Sequence, residues 1–152
     1  MSMQVVRIAE PNLRLAMEIR ELLAAERLPV PVFTDVDLFA VFDSEGRIEG
    51  AAFVDSLEDS CVLGAVVVRR ESRKKGLGYT LVSHILCQCS AAHERMFLVS
   101  RGAQAYFERF GFRTVSLDGI PERVARSAFV AGCAGEEGPA MVIDLPRGTR
   151  TF

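Results

Sequence analysis

The 152 residues are 49% apolar and 25% charged, with twelve glycines, six prolines and no tryptophan, which excludes a disordered chain and suits one globular domain whose core needs neither metal nor disulfide. Eighteen Lys and Arg against twenty Asp and Glu leave a formal charge of −2, which argues against a protein that grips nucleic acid over a broad face. No apolar run approaches the roughly 20 residues of a membrane span, and residues 1–8 lack the basic segment and long apolar stretch of a signal peptide, so the expected location is the cytoplasm.

Residues 4–8 read as a short strand that stops at Glu10-Pro11, and Pro11 suits the first turn of a helix, where its missing N–H is no loss. Leu15, Ile19, Leu22 and Leu23 recur at helical spacing as one apolar stripe, which leaves Arg14, Glu18, Glu21 and Glu26 to face water; Pro29 and Pro31 end that helix. Residues 33–37 are ambiguous, a short second helix capped by Thr34 or Asp35 being one reading. Residues 38–42 and 48–55 flank Asp43-Ser44-Glu45-Gly46 and form a hairpin. After an acidic turn over 56–60, residues 61–68 are apolar at nearly every position, as a strand covered on both faces at a sheet centre requires. The basic loop 69–75 leads into a helix marked by Leu77, Leu81, Val82, Ile85, Leu86 and Cys89, with His84 off the stripe. Then come a strand over 95–100, a short helix over 103–110 stopped by Gly111, a strand over 112–115, a helix over 120–130 with Pro121 in its first turn, and a closing strand over 140–145. An antiparallel meander followed by a strand, helix and strand crossover describes a single α/β domain, residues 1–152, with a mixed sheet.

The cysteines, Cys61, Cys87, Cys89 and Cys133, form no Cys-x-x-Cys pair, and His84 and His93 match no zinc spacing, so no metal is expected. Buried thiols are the expectation, with Cys133 set apart by its polar, glycine-rich surroundings.

The informative segment is Val66-Val67-Val68-Arg69-Arg70-Glu71-Ser72-Arg73-Lys74-Lys75-Gly76-Leu77-Gly78-Tyr79. A buried strand runs into a turn and then a helix, and Gly76 and Gly78 let main chain approach a ligand closely. The first amides of the helix have no partner inside it and sit at the positive end of its dipole, so such a place binds phosphate. Arg73, Lys74 and Lys75 add cations beside those donors, so a pyrophosphate is held by amides for position and by cations for charge. On the loop alone, a glycine turn with solvated cations accounts for the pattern equally well. A Walker loop needs Lys and then Ser or Thr after the second glycine, and a Rossmann fingerprint needs a third glycine with an acidic residue on the next strand; neither is present.

Arg73, Gly76 and Gly78, spaced as Arg, two residues, Gly, one residue, Gly, resemble the acetyl-CoA loop of the GCN5-related N-acetyltransferases (GNAT). Phe107-Glu108-Arg109-Phe110-Gly111-Phe112 resembles the aromatic residue and Gly-Phe that this family places on its next helix and strand. The resemblance spans nearly the whole chain. It implies a mixed, mostly antiparallel sheet of six to seven strands, helices on both faces, and a parallel, splayed central pair, residues 65–68 against 96–99, with the pantetheine arm of acetyl-CoA in the gap. It also implies cofactor contacts from Val66, Val67, Val68, Arg73, Lys74, Lys75, Gly76, Leu77, Gly78, Tyr79 and Phe107, and a main-chain amide near Val66 or Val67 that polarises the acetyl carbonyl.

Phe97-Leu98-Val99-Ser100, residues 105–112 and Ile120-Pro121-Glu122-Arg123 are similar to the amino-acid N-acetyltransferase group, which includes the acetyltransferase domain of N-acetylglutamate synthase and the arsenic-resistance N-acetyltransferases. That similarity implies transfer of acetyl to the primary amine of an amino acid or amino-acid-like small molecule by direct attack in a ternary complex. Two proton-transfer roles then need side chains. Many relatives have a Tyr where this chain has Phe107, and Tyr106, its neighbour, points about 100° away around the helix; Tyr106 and Ser100 are the catalytic candidates. Relatives also carry a Glu or Arg on the central strand, where this chain has Val62, Leu63 and Gly64. Arg101, Arg123 and Arg126 are candidates for a substrate carboxylate, whereas solvation alone accounts for Glu58, Asp59 and Glu71. The missing charges keep a second reading open, a noncatalytic acyl-CoA-binding module. A protein acetyltransferase comes third, unsupported by the acidic balance. A homodimer through the last strands is compatible with such a sheet.

Overall fold

A computed structural model describes residues 4–33, 35–131 and 138–146. Among these residues there are seven strands: β1 Val5–Ile8, β2 Asp37–Phe42, β3 Ile48–Leu57, β4 Ser60–Val68, β5 Arg95–Val99, β6 Arg113–Val115 and β7 Ala140–Asp144. They form one mixed sheet in the order β1-β2-β3-β4-β5-β7-β6, with the nearly all-apolar β4 in its middle. Pairing is antiparallel for β1 with β2, β2 with β3, β5 with β7 and β6 with β7. It is parallel for β4 with β5, in the register Ser60↔Arg95, Cys61↔Met96, Val62↔Phe97.

Local chemistry sets the connections. In the β2–β3 turn the Asp43 carboxylate accepts the amides of Glu45 and Arg47 at 2.9 and 2.8 Å, and Gly46 takes the left-handed conformation at φ 83°. β3 runs on to Leu57, two residues into the expected 56–60 turn, because Glu58 at φ 57° reverses the chain within a tighter turn.

The helices are α1 Leu13–Ala25, α2 Leu77–Cys89, α3 Gln104–Glu108 and α4 Glu122–Ala125. Asn12 caps α1, its side chain accepting the Leu15 amide at 2.8 Å, so Pro11 precedes the cap instead of opening the first turn. The prolines do not end α1. Arg27 at φ 56° does, with its amide on Ala24 O and that of Leu28 on Leu23 O, the two bonds of a Schellman turn. Residues 33 and 35–37 form no helix: Phe33 stacks on Phe53 at 5.8 Å, and β2 starts at Asp37; Thr34 lies outside the described residues. α4 is much shorter than the expected 120–130 helix. Past Ala125 the Ser127 amide turns to Val124 O, three residues back, at 3.0 Å, and the Ser127 hydroxyl donates to Asp55 at 2.8 Å and accepts the Phe129 amide at 3.4 Å.

The chain divides into two compact units, Met1–Val54 with Ala65–Ile85, and Asp55–Gly64 with Leu86–Phe152. In the first, Ile19, Leu23, Leu38, Phe53, Leu81 and Ile85 are almost wholly buried, each contributing about 1.5–3 kcal/mol; His84 meets the Phe39 ring edge-on at 6.0 Å. In the second, Cys61, Met96, Phe97, Leu98, Phe129 and Met141 make the core. Cys61 and Cys89 are the buried thiols expected, and hydrogen bonding to Cys89 together with burial pushes the Cys61 thiol far up. Cys87 departs from that expectation and is exposed on α2; Cys133 lies outside the described residues. Among the described residues no helix is long and apolar enough to cross a membrane.

Candidate functional site

The connection from β4 to α2 lies wholly within the first unit. A single 3-10 turn over Arg70–Ser72 follows the strand, after which Lys74 at φ 73° and Gly76 at φ 76° take left-handed conformations on either side of Lys75. For Lys74 that conformation costs about 1–2 kcal/mol. At Gly76 a side chain would meet nothing within 4 Å, so glycine is required there by its conformation and the space beside it is open. α2 then begins with Leu77, 1% exposed and anchored in the core, while Tyr79 is exposed. Its first intrahelical bond is from the Thr80 amide to Gly76 O at 3.0 Å, reinforced by the Thr80 hydroxyl on the same oxygen. The amides of Leu77 and Gly78 precede that bond and have no acceptor within the helix. Main-chain donors, open space and a positive helix end together fit a diphosphate.

The cations around the loop are sorted by carboxylates that the sequence pattern did not mark. Arg73 donates its Nε to Val68 O at 3.1 Å and its guanidinium to Glu26. Arg70 reaches the same carboxylate at 3.4 Å. Arg69 donates Nε to Ile48 O at 2.8 Å and lies 3.6 Å from Glu18, and Lys75 stands 3.7 Å from Glu49. Lys74 has no carboxylate partner among the described residues. Glu18 and Glu26 therefore do not simply face water; both are half-buried, and the hydrogen bond from Arg73 holds the Glu26 carboxyl below the usual carboxylate range. The two glutamates, with Leu22, Val67, Arg69 and Arg73, border a cavity of about 200 Å³.

Within β4, Ala65 sits at φ 49°. A left-handed alanine inside a strand is strained and throws the pleat out of step. Val67 beyond it is buried, while Val66 and Val68 are half-buried.

In the second unit, Gly64, one of the three residues where the resemblance leads one to expect a charged strand residue, is closed to any side chain. A Cβ at Gly64 would lie 2.2 Å from Cγ of Phe129 and 2.3 and 2.4 Å from its Cδ atoms. The ring occupies the space that a side chain at position 64 would need. Ser100, just past β5, is 2% exposed and its Oγ has no hydrogen-bond partner among the described residues. Its carbonyl accepts the Ala103 amide at 2.8 Å across Arg101 at φ 48° and Gly102 at φ 86°, a tight turn of the I′ type. Gly138 packs against it, so close that a Cβ there would be 2.5 Å from Ser100 Oγ.

Tyr106 lies edge-on to Phe107 and Phe110, each at 5.3 Å, and burial raises its pKa against the opposing pull of Arg109. Phe107 is buried, edge-on to Phe112 at 5.8 Å. Arg123 pairs with Glu58 at 2.5 Å and Arg126 with Glu122 one helical turn back. Glu71 pairs with Arg47 at 3.3 Å. Exposed pairs of this kind are weak, so they exchange readily for another partner.

The acetyltransferase (GNAT) domain profile matches residues 35–114, just over half of the chain and including both the glycine loop and Phe107 to Phe112. The chain belongs to the GNAT acetyltransferase family. It is accordingly an acetyl-CoA-dependent acyltransferase by class. Solved GNAT structures share the fold at low identity. N-acetylglutamate synthase from Neisseria gonorrhoeae, complexed with coenzyme A and N-acetyl-glutamate, superposes with a TM-score of 0.73 at 18% identity over 95% of this chain, which spans 36% of that one. A GNAT-family acetyltransferase from Staphylococcus aureus Mu50 gives 0.73 at 14%, covering 94% of this chain and 100% of that one. Tetrahymena GCN5 gives 0.73 at 12%, covering 97% and 98%. A search of curated proteins found no match.

Proposed function

We propose that this GNAT chain moves the acetyl group of acetyl-CoA to the primary amine of a small molecule, an amino acid or amino-acid-like compound, by direct attack in a ternary complex in the cytoplasm. The observation that carries the reading is the β4–α2 connection: left-handed Lys74 and Gly76, open space beside Gly76, and the leading amides of α2 suit the diphosphate of coenzyme A. Lys74 and Lys75 supply charge, and Arg73 holds the loop. The acceptor class is supported by the fold shared with N-acetylglutamate synthase, a structure of which holds coenzyme A with N-acetyl-glutamate. Arg101, Arg123 and Arg126 are the groups we assign to an acceptor carboxylate. For proton transfer we assign Ser100 and Tyr106. Among the described residues no acceptor competes for the hydrogen of the Ser100 hydroxyl, and Tyr106, its pKa raised by burial, keeps its phenolic proton at neutral pH.

The test is release of free thiol from acetyl-CoA in the presence of a panel of amino acids and other amines. Release above background with at least one amino acid is expected. Calorimetric binding of coenzyme A without turnover on any amine would favour a noncatalytic acyl-CoA-binding module, and absence of coenzyme A binding would overturn both readings.

A further inference from the structure

Charge alone makes Glu26 a poor neighbour for a diphosphate. It is a carboxylate beside a loop that we read as an anion site, and at close range like charges repel. Its geometry gives it another role. Arg73 is held at two points, Nε on Val68 O at 3.1 Å and the guanidinium on Glu26. The residue that follows it is the left-handed Lys74, and Gly76 comes three residues after Arg73. Arg70, inside the 3-10 turn, shares the same carboxylate. At the other end of the loop Arg69 is held in the same way, by a main-chain carbonyl, Ile48 O at 2.8 Å, and by a glutamate of the same helix, Glu18 at 3.6 Å. Glu18 and Glu26 are eight residues apart on α1 and its cap, a span of about 12 Å along the axis. The end of α1 is itself locked by the Schellman turn at Arg27 and Leu28, so the Glu26 carboxylate is presented from a fixed support. α1 thus acts as a strut across the first and fifth residues of the loop.

We infer that Glu26 is a positioning residue for coenzyme A, holding Arg70 and Arg73 so that the loop has its diphosphate-binding shape before the ligand arrives. The inference rests on the proposed coenzyme A reading of this loop. Preorganisation of this kind strengthens binding by removing the ordering cost from the binding step. It outweighs the repulsion, which solvent and salt screen at this half-exposed position.

The two effects have opposite signs, and that makes the test sharp. If charge dominates, Glu26→Gln tightens coenzyme A binding; if the brace dominates, it weakens it. Calorimetric titration with coenzyme A is expected to show roughly tenfold weaker binding for Glu26→Gln, substantial recovery for Glu26→Asp, and unchanged or slightly tighter binding for Glu21→Gln, a carboxylate on the same helix without an arginine partner among the described residues. KM for acetyl-CoA should rise while kcat at saturation stays near the wild-type value. In the ligand-free protein, amide hydrogen exchange over residues 70–76 should quicken in Glu26→Gln and not in Glu21→Gln. Equal or tighter binding by Glu26→Gln, or unchanged exchange, overturns the inference. If Glu26→Gln fails to fold, Arg73→Lys, which keeps the charge but cannot make both bonds, must show the same weakening and the same faster exchange. Failure of the wild type to bind coenzyme A would instead sink the proposed function, and the exchange comparison would still decide the brace.

Discussion

Replacing Gly64 by alanine adds one methyl group to a position already filled by the Phe129 ring. The new Cβ would sit 2.2 Å from Cγ of Phe129, whereas carbon atoms rest about 3.5–4.0 Å apart, so the ring or the strand must give way by more than about 1.3 Å. The ring cannot swing aside alone. The atoms struck are at its root, Phe129 is 3% exposed, and the segment that carries it is tied to β3 by the 2.8 Å bond from Ser127 to Asp55. The cost should fall at the upper end of overpacking penalties, about 3 kcal/mol, which lowers Tm by roughly 6–12 °C for a chain of this size. Phe129→Ala alone should cost about 3–5 kcal/mol through the cavity it leaves. In the double variant the methyl added at position 64 enters space the ring has vacated, so the penalties should not add, and the coupling should be about 2 kcal/mol in favour of the pair. Urea unfolding followed by circular dichroism suits a chain without tryptophan. Loss of less than about 0.5 kcal/mol in Gly64→Ala, or strict additivity, would refute the reasoning.

Other outcomes follow from single features. Asn12→Ala removes the cap that accepts the Leu15 amide and should cost about 1 kcal/mol in the same unfolding assay. Gly76→Ala meets no atom and should cost only the conformational strain, about 1–2 kcal/mol, whereas Gly76→Glu sets a carboxylate in the anion site and should weaken coenzyme A roughly tenfold or more by calorimetry; equal affinity in both variants would remove the loop from the site. The Glu26 carboxyl has a lower pKa folded than unfolded, from its ordinary value of 4.5, so its stabilisation is complete above that value and is lost as pH falls through the lowered one. The Tm difference between wild type and Glu26→Gln should therefore close on acidification, and a difference that persists at strongly acid pH would contradict the pairing with Arg73.

The strands were legible because their apolar runs and bounding turns coincide, most plainly in β4, and the glycine loop was legible because its glycines and cations adjoin in sequence. What stayed hidden joins residues far apart. Helical periodicity places Glu18 and Glu26 off the apolar stripe of α1 but does not distinguish open water from a neighbouring loop of arginines. Gly64 and Phe129 are separated by 65 positions, so no window relates the missing side chain to the ring that replaces it. Ala65 carries no mark of its left-handed conformation, because only Gly, and to a lesser degree Asn and Asp, advertises one in sequence. The helix expected over 120–130 stops at Ala125, just before a Ser127 to Asp55 bond that only tertiary folding creates, and α1 ends in a Schellman turn on an arginine, where glycine would have announced it.

The start of α2 offers N–H groups of the main chain, and these belong to no side chain. Truncation to alanine across residues 74–79 would leave every such donor in place, and such a survey would pass over the very atoms presented there. Exchanging single peptide links for esters by chemical ligation, which deletes one N–H while sparing the residue, would expose them. In this protein the most telling substitutions are those of backbone atoms.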